Sequence, residues 1–359
     1  MKRIKCEYCN KLLKLENLED GYEYHCPRCK SLVYRAGESN TMIASLAISS
    51  LIIFLFAITL PLLNVNILYD TQVSILQSII SLYKSDIFSS IILAFTIICI
   101  PIFMMILILL IIFNQQLNIS KDTLKLFIAN YIFIKEWNMI SIYFIGLLVS
   151  MVKIKDISDM TILPGLWVNA LLVVSLYLTM RWFNPYDILH INRRSKIKNN
   201  SALKTSIYLL IAIIFVAPAN LLPIMPIYKY AVYFPNTLLD GVISFWNEGD
   251  FFVSIIILLS SIILPIVKIV GILIMLIMLK YDIFSSNKIL ATRFHIFISK
   301  IGKFSMIDIY VVVLASSFIK YDDLLRIEIG TAFIPFTLVV FFTVLANQSL
   351  DTKLIWNKK

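Results

Sequence analysis

Apolar residues run in long unbroken stretches along this 359-residue chain, without the two-residue or 3.6-residue alternation of an element that is half buried in a soluble core. Stretches able to cross roughly 30 Å of hydrocarbon fall near 43–63, 87–113, 138–152, 163–183, 206–227, 251–279, 305–320 and 329–348. The third and seventh are short, at about 15 residues, and eight helices is the simplest count. The pattern predicts an all-α polytopic membrane protein. Residues 1–36 are polar and rich in Cys and Lys, so no apolar signal segment is expected there.

The pattern is written twice. Ile79-Ile80-Ser81-Leu82-Tyr83, Asp86 and Ile97-Ile98-Cys99-Ile100-Pro101 are echoed by Val242-Ile243-Ser244-Phe245-Trp246, Asp250 and Ser261-Ile262-Ile263-Leu264-Pro265. Trp137-Asn138-Met139-Ile140-Ser141-Ile142-Tyr143 returns as Phe304-Ser305-Met306-Ile307-Asp308-Ile309-Tyr310. The offset stays between 163 and 167 residues, which marks a duplication. Four spans per copy leave both copies in the same orientation, as tandem parallel four-helix repeats. The expected organisation is a ribbon at 1–40, a first membrane module at 41–183, a basic linker at 184–205, a second module at 206–348 and a tail at 349–359.

Composition agrees: 59% of residues are hydrophobic and only 15% charged, too apolar for a soluble domain of this size. The net charge of +10 is distributed unevenly. Segments 1–42, 114–137, 181–205, 280–303 and 349–359 hold 8, 3, 6, 5 and 3 basic residues, whereas the alternate segments carry ten carboxylates. Cytoplasmic loops retain Lys and Arg, so both termini are expected in the cytoplasm. The run Arg193-Arg194-Ser195-Lys196-Ile197-Lys198 reads as a solvated orientation signal that can also touch anionic headgroups, and nothing here calls for nucleic acid.

Cys6-x-x-Cys9 and Cys26-x-x-Cys29 form two knuckles separated by sixteen residues. Four thiolates at this spacing suit a tetrahedral structural zinc site, with iron as the other metal such a site accepts. A reducing cytoplasm disfavours the disulfide reading. We therefore expect one zinc ion held by Cys6, Cys9, Cys26 and Cys29, structural because four ligands leave no open position. Cys99 reads as a small packing residue in mid-helix.

Prolines recur in both copies. Pro61 and Pro223 end the first helix of each copy, Pro218 and Pro226 break the second copy's further, and Pro101 and Pro265 kink the following helix. Freed carbonyls of a broken span must be satisfied by protein or water, so such backbone tends to line a cavity. Lys268 lies well inside an apolar stretch, where a lone ammonium costs at least about 2.5–3.5 kcal/mol. Asp308 is its candidate partner. Lys320, Ser260, Ser261, Ser316, Ser317 and Thr331 complete a candidate polar network, although Asp308 and Lys320 can equally sit at helix ends and snorkel. The first copy has Met104 and Ser141 in place of Lys268 and Asp308. His25, His190 and His295 are scattered without a nucleophile–base spacing, and no G-x-x-x-x-G-K-[ST] loop occurs, so neither catalysis nor ATP hydrolysis is expected.

The four-cysteine ribbon ahead of a four-helix unit, the repeat of that unit, Met306-Ile307-Asp308-Ile309-Tyr310 and Leu264-Pro265-Ile266-Val267-Lys268 resemble the paraquat-inducible protein A family. The resemblance covers nearly the whole chain. It implies an inner-membrane protein that serves a periplasmic MCE-domain partner and moves phospholipid between membranes. Members commonly have a second ribbon before the second unit, but Asn184–Thr205 contains no cysteine, so one metal is expected. Two other classes fit the residues: a structural or assembly anchor for a periplasmic partner, and a proton-coupled small-solute transporter.

Overall fold

The computed structural model describes residues 2–6, 8–15, 22–35, 39–66, 70–155, 159–185, 200–229, 232–247, 249–281, 288–302, 304–318, 320–321 and 325–357. The basic run at 193–198 lies outside the described residues. The chain opens with two hairpins, β1 Lys2–Lys5 with β2 Leu12–Leu15, and β3 Glu23–His25 with β4 Leu32–Arg35, each antiparallel. The first membrane module follows as α1 Asn40–Thr59, β5 Leu63–Asn66, β6 Asp70–Val73, α2 Ile75–Ser85, α3 Ile87–Ala94, α4 Ile100–Ile112, α5 Lys121–Trp137, α6 Ile140–Lys155, β7 Asp159–Ile162 and α7 Pro164–Trp182. The second repeats the order: α8 Ser201–Leu221, β8 Ile227–Lys229, β9 Val232–Phe234, α9 Leu238–Asn247, α10 Phe251–Ile257, α11 Leu264–Tyr281, α12 Lys288–Ile301, α13 Ile307–Phe318, β10 Lys320–Tyr321, β11 Leu325–Ile327 and α14 Phe333–Ser349. A short α15, Lys353–Asn357, ends the described chain.

Among the described residues seven helical segments are long and apolar enough to cross a membrane. The one expected span missing from these, the seventh at 305–320, is α13, which has only 12 residues, about 18 Å at 1.5 Å per residue. It is nevertheless well enclosed, with Ile309, Tyr310, Val311, Val313 and Leu314 all buried. Its counterpart α6 packs directly against it. The Tyr143 and Tyr310 rings, equivalent positions of the two copies, meet edge to face at 5.8 Å. This contact lies in a hydrophobic core shared by both modules.

The duplication reaches into backbone detail. Phe95–Cys99 and Leu258–Ile263 are π-helical turns between the short helix and the proline-bearing helix of each copy. A proline cannot donate its amide and crowds the carbonyl four residues back, and a π-turn relieves that crowding by widening the helix locally. The ring of Pro101 or Pro265 is thus absorbed at the first turn of α4 or α11, and the span continues. Pro218 lies inside α8, which runs on to Leu221; the helix ends at Leu222-Pro223, as α1 ends at Leu60-Pro61. In each copy a serine ties the amphipathic helix to its neighbour, Ser90 Oγ donating to Ile79 O at 3.0 Å and Ser254 Oγ to Val242 O at 2.8 Å.

The segments between the first and second spans of each copy, 65–85 and 225–249, form strands and an amphipathic helix over their described residues. Strand β5 pairs with β6 and β7, and the second copy builds the corresponding β10-β11-β8-β9 sheet, so each sheet gathers the same ends of the helices. Helix α2 buries Ile75, Ser78 and Leu82 while Ile80 and Tyr83 face out, an amphipathic arrangement at helical spacing. Gly165 and Gly330 bring the fourth helix of each copy onto the end of the first: a Cβ there would stand 2.3 Å from Pro61 O and 2.2 Å from Pro223 O.

Candidate functional site

Two polar centres stand out, the ribbon and a buried cluster in the second module. In the ribbon both knuckles turn in the same way. Asn10 N donates to Cys6 O at 3.0 Å and Lys30 N to Cys26 O at 2.8 Å, with Asn10 and Lys30 in the left-handed region at φ 58° and 60°. This brings four buried Sγ atoms within 4.8 Å of one another, with Cys6–Cys29 and Cys9–Cys26 each at 3.5 Å. No cysteine is in a disulfide. Ser31 Oγ, unremarked in the sequence, lies 3.0 Å from Cys29 Sγ and 3.4 Å from Cys6 Sγ.

The thiols cannot ionise together without a cation. The hydrogen bond from Cys29 draws Cys6 down to about 4, burial pushes Cys9 up to about 12, and the proton shared with Cys6 pushes Cys29 upward too. A divalent ion removes that conflict, so the donor set fits a bound metal. His25 is exposed, 3.7 Å from Glu23, and is no ligand. Cys99 is exposed on the first π-turn, so its small apolar thiol faces outward and does not pack inside.

Lys268 is 1% exposed, one residue after Ile266-Val267, which face outward. Its ammonium donates to Gly302 O at 3.1 Å and Ser305 Oγ at 3.3 Å, and Ser305 Oγ donates in turn to Gly302 O at 2.8 Å. Gly302 follows directly on α12, so the ammonium meets the negative end of that helix. The expected ion pair with Asp308 does not form among the described residues. Asp308 is buried and receives Ser260 Oγ at 3.0 Å on Oδ1, so the carboxylate and the ammonium share the stretch 302–308 without touching.

Of the remaining network candidates, Ser261 is buried with no partner for its hydroxyl, Ser316 Oγ donates to Val313 O at 2.9 Å, and Thr331 is exposed. Lys320 falls on β10, beyond the helix end, and the side chains of Lys320 and Ser317 lie outside the described residues.

A cavity of about 20 Å³, room for one water, opens beside Lys268 and is lined by Glu136, Ser299, Asn347 and Gln348 among others. Glu136 comes from the first module and the other three from the second. The first module repeats the geometry with different chemistry. Asn138 Nδ2 approaches Met104 Sδ at 3.7 Å and Met180 Sδ at 3.1 Å, so Met104 and Asn138 meet where Lys268 and Ser305 meet in the second copy. Ser305 and Gly302 were missed as site residues. The repeat register, which sets Ser305 opposite Asn138, was the signal that reveals the first of them.

The sequence profile of the family described as Paraquat-inducible protein A matches twice, over residues 41–190 and 203–359. The chain is 26% identical to a probable intermembrane transport protein of Haemophilus influenzae, covering 99% of this chain and 96% of that protein. It is 25% identical to the lipophilic envelope-spanning tunnel protein A of Escherichia coli K12, covering 98% and 91%, and 26% identical to the intermembrane transport protein PqiA of the same strain, covering 100% and 96%. These alignments run over 395 to 411 positions, longer than the 359 residues here, so the relatives carry inserted residues that this chain lacks. No solved structure matches the chain. With both modules matched by one profile, the chain belongs to the paraquat-inducible protein A family.

Proposed function

We propose that the chain is the inner-membrane subunit of a lipid-transfer system, loading or extracting phospholipid for a periplasmic MCE-domain tunnel protein. The observation that carries this reading is a buried ammonium, Lys268, placed in one of two otherwise equivalent modules. An ammonium at depth attracts a phosphate headgroup while acyl chains stay in hydrocarbon. The relatives' names point the same way, to transport between membranes and not to catalysis. Lys268 and Asp308, with Ser260 and Ser305, form the polar site; the first module, with Met104 and Ser141, is its apolar counterpart. Residues 1–40, 41–183, 184–205, 206–348 and 349–359 act as ribbon, first module, linker, second module and tail. The excess of Lys and Arg in alternate segments supports a cytoplasmic position for both termini. The ribbon holds one zinc, which supplies the charge that lets Cys6, Cys9, Cys26 and Cys29 ionise together and so joins the two knuckles.

Lys268→Met and Asp308→Ser install the side chains that the first module already accommodates. Each variant is expected to reach the membrane at wild-type level yet to lose complementation of a membrane-integrity defect in cells lacking the protein. Normal complementation by both overturns the site. Loss of function confined to substitutions in 65–85 and 225–249 favours an anchoring role instead.

A further inference from the structure

The ribbon is not tethered to the membrane modules by the chain connection alone. The last described segment, 350–357, lies between it and the second module. Thr352 Oγ1 donates to Tyr8 O at 3.2 Å, and the Arg28 guanidinium stacks over the Trp356 ring at 4.6 Å. Tyr8 lies between Cys6 and Cys9, and Arg28 between Cys26 and Cys29. Each knuckle therefore supplies one contact. The Trp356 ring also packs against the cysteine cluster itself.

On its other side this segment holds the second module. Trp356 Nε1 donates to Thr292 Oγ1 on α12 at 3.0 Å. Leu350, Leu354 and Ile355 join Met275 and Leu279 of α11 with Ala291 and Phe294 of α12 in one apolar cluster. These two helices carry the two ends of the buried contact: α11 bears Lys268, and Gly302 terminates α12.

We propose that Thr352 and Trp356 are positioning residues that read the closed state of both knuckles and pass it to α12, so that metal loading of the ribbon sets the placement of the Gly302 carbonyl on Lys268. Tyr8 O and Arg28 stand at the correct separation for Thr352 and Trp356 only while the knuckles are joined, and the four Sγ atoms within 4.8 Å of one another, two from each knuckle, are the donors through which one ion joins them. Without the metal the segment loses both contacts, and α12 loses the indole that grips Thr292. Only the last link, to transport, rests on the lipid-transfer reading above.

The test is hydrogen exchange of the full-length protein in detergent, before and after removal of the ribbon metal by a chelator. In the wild type, removal should speed exchange in 350–357 and 288–302 about tenfold or more, together with the ribbon peptides. Trp356→Ala should keep its metal, measured by elemental analysis, while both segments exchange fast with or without chelator. Trp356→Phe keeps a ring for Arg28 and removes the N–H to Thr292, so it should loosen 288–302 more than the ribbon, and it serves if the alanine variant does not accumulate. The proposal is overturned if metal removal loosens the ribbon peptides alone, or if both Trp356 variants respond to chelator as the wild type does. Lipid transfer by reconstituted wild type is measured separately: its absence sinks the transport reading and leaves the exchange result standing.

Discussion

His295 sits on α12 facing Asn347 and Asp351, buried beside the segment that docks the ribbon. Burial holds its imidazole below the ordinary value of 6.5, against the smaller upward pull of the Asn347 backbone and the Asp351 carboxylate. The neutral ring is the form the fold accepts. Its contribution is complete above about pH 6.5 and is lost as the pH falls through the lower folded value. Between about pH 7.5 and 5 the melting temperature in detergent should therefore fall for the wild type and fall less for His295→Gln. The histidine was legible only as a titratable residue in a polar segment, because its burial depends on residues 347–351 packing back on it. Lys268 was legible as a buried charge from its apolar neighbours alone. Its true partners were not, since a backbone carbonyl such as Gly302 O has no signature in sequence, and Asp308, the obvious counter-ion, is drawn instead to Ser260.

Among the elements, the spanning helices were readable because hydrocarbon demands long apolar runs, and their ends at Pro61 and Pro223 because proline cannot continue a helix. The sheets and amphipathic helices between them left little trace: strands of two to four residues give too short a period-two signal, and Ile75–Ser85 mixes apolar and polar residues at a spacing that a search for apolar stretches overlooks. The π-turns left no mark beyond the later proline. Caps show how nearly equal sequences diverge. Asp86 caps α3, its carboxylate accepting from Ser89 N at 3.2 Å and from the Ser89 hydroxyl, whereas Asp250 at the equivalent start of α10 makes no side-chain cap. Asp86→Ala should cost about 1 kcal/mol in equilibrium unfolding, and Asp250→Ala only a few tenths of that. Equal losses would mean that both aspartates serve the loop fold and not the helix start.

For the whole molecule, the duplication was legible and the way the copies meet was not, because a repeat offset says nothing about which faces touch. The meeting surface is α6 on α13, with Gly146 at its centre: a Cβ there would lie 2.9 Å from Tyr310 Cβ and 3.3 Å from Ile307 O. Ser150 Oγ reaches Val311 O at 3.4 Å one turn further along. The register that aligns Tyr143 with Tyr310 sets Gly146 opposite Val313, so one copy keeps a β-branched side chain where the other has none. Only the small partner lets the helices approach, as small residues do throughout membrane bundles. Gly146→Val should force α6 off α13, with Ile307 and Asp308 on the displaced helix. The expected outcome is a destabilisation of about 2 kcal/mol or more in detergent unfolding, together with faster hydrogen exchange in 307–318 that leaves α1 and α7 protected. Val313→Gly in the wild-type background, which removes a buried side chain without creating a clash, should cost stability but leave the two modules docked. If Gly146→Val instead leaves exchange in 307–318 unchanged, the modules are held together elsewhere and the polar site is not braced by the first copy.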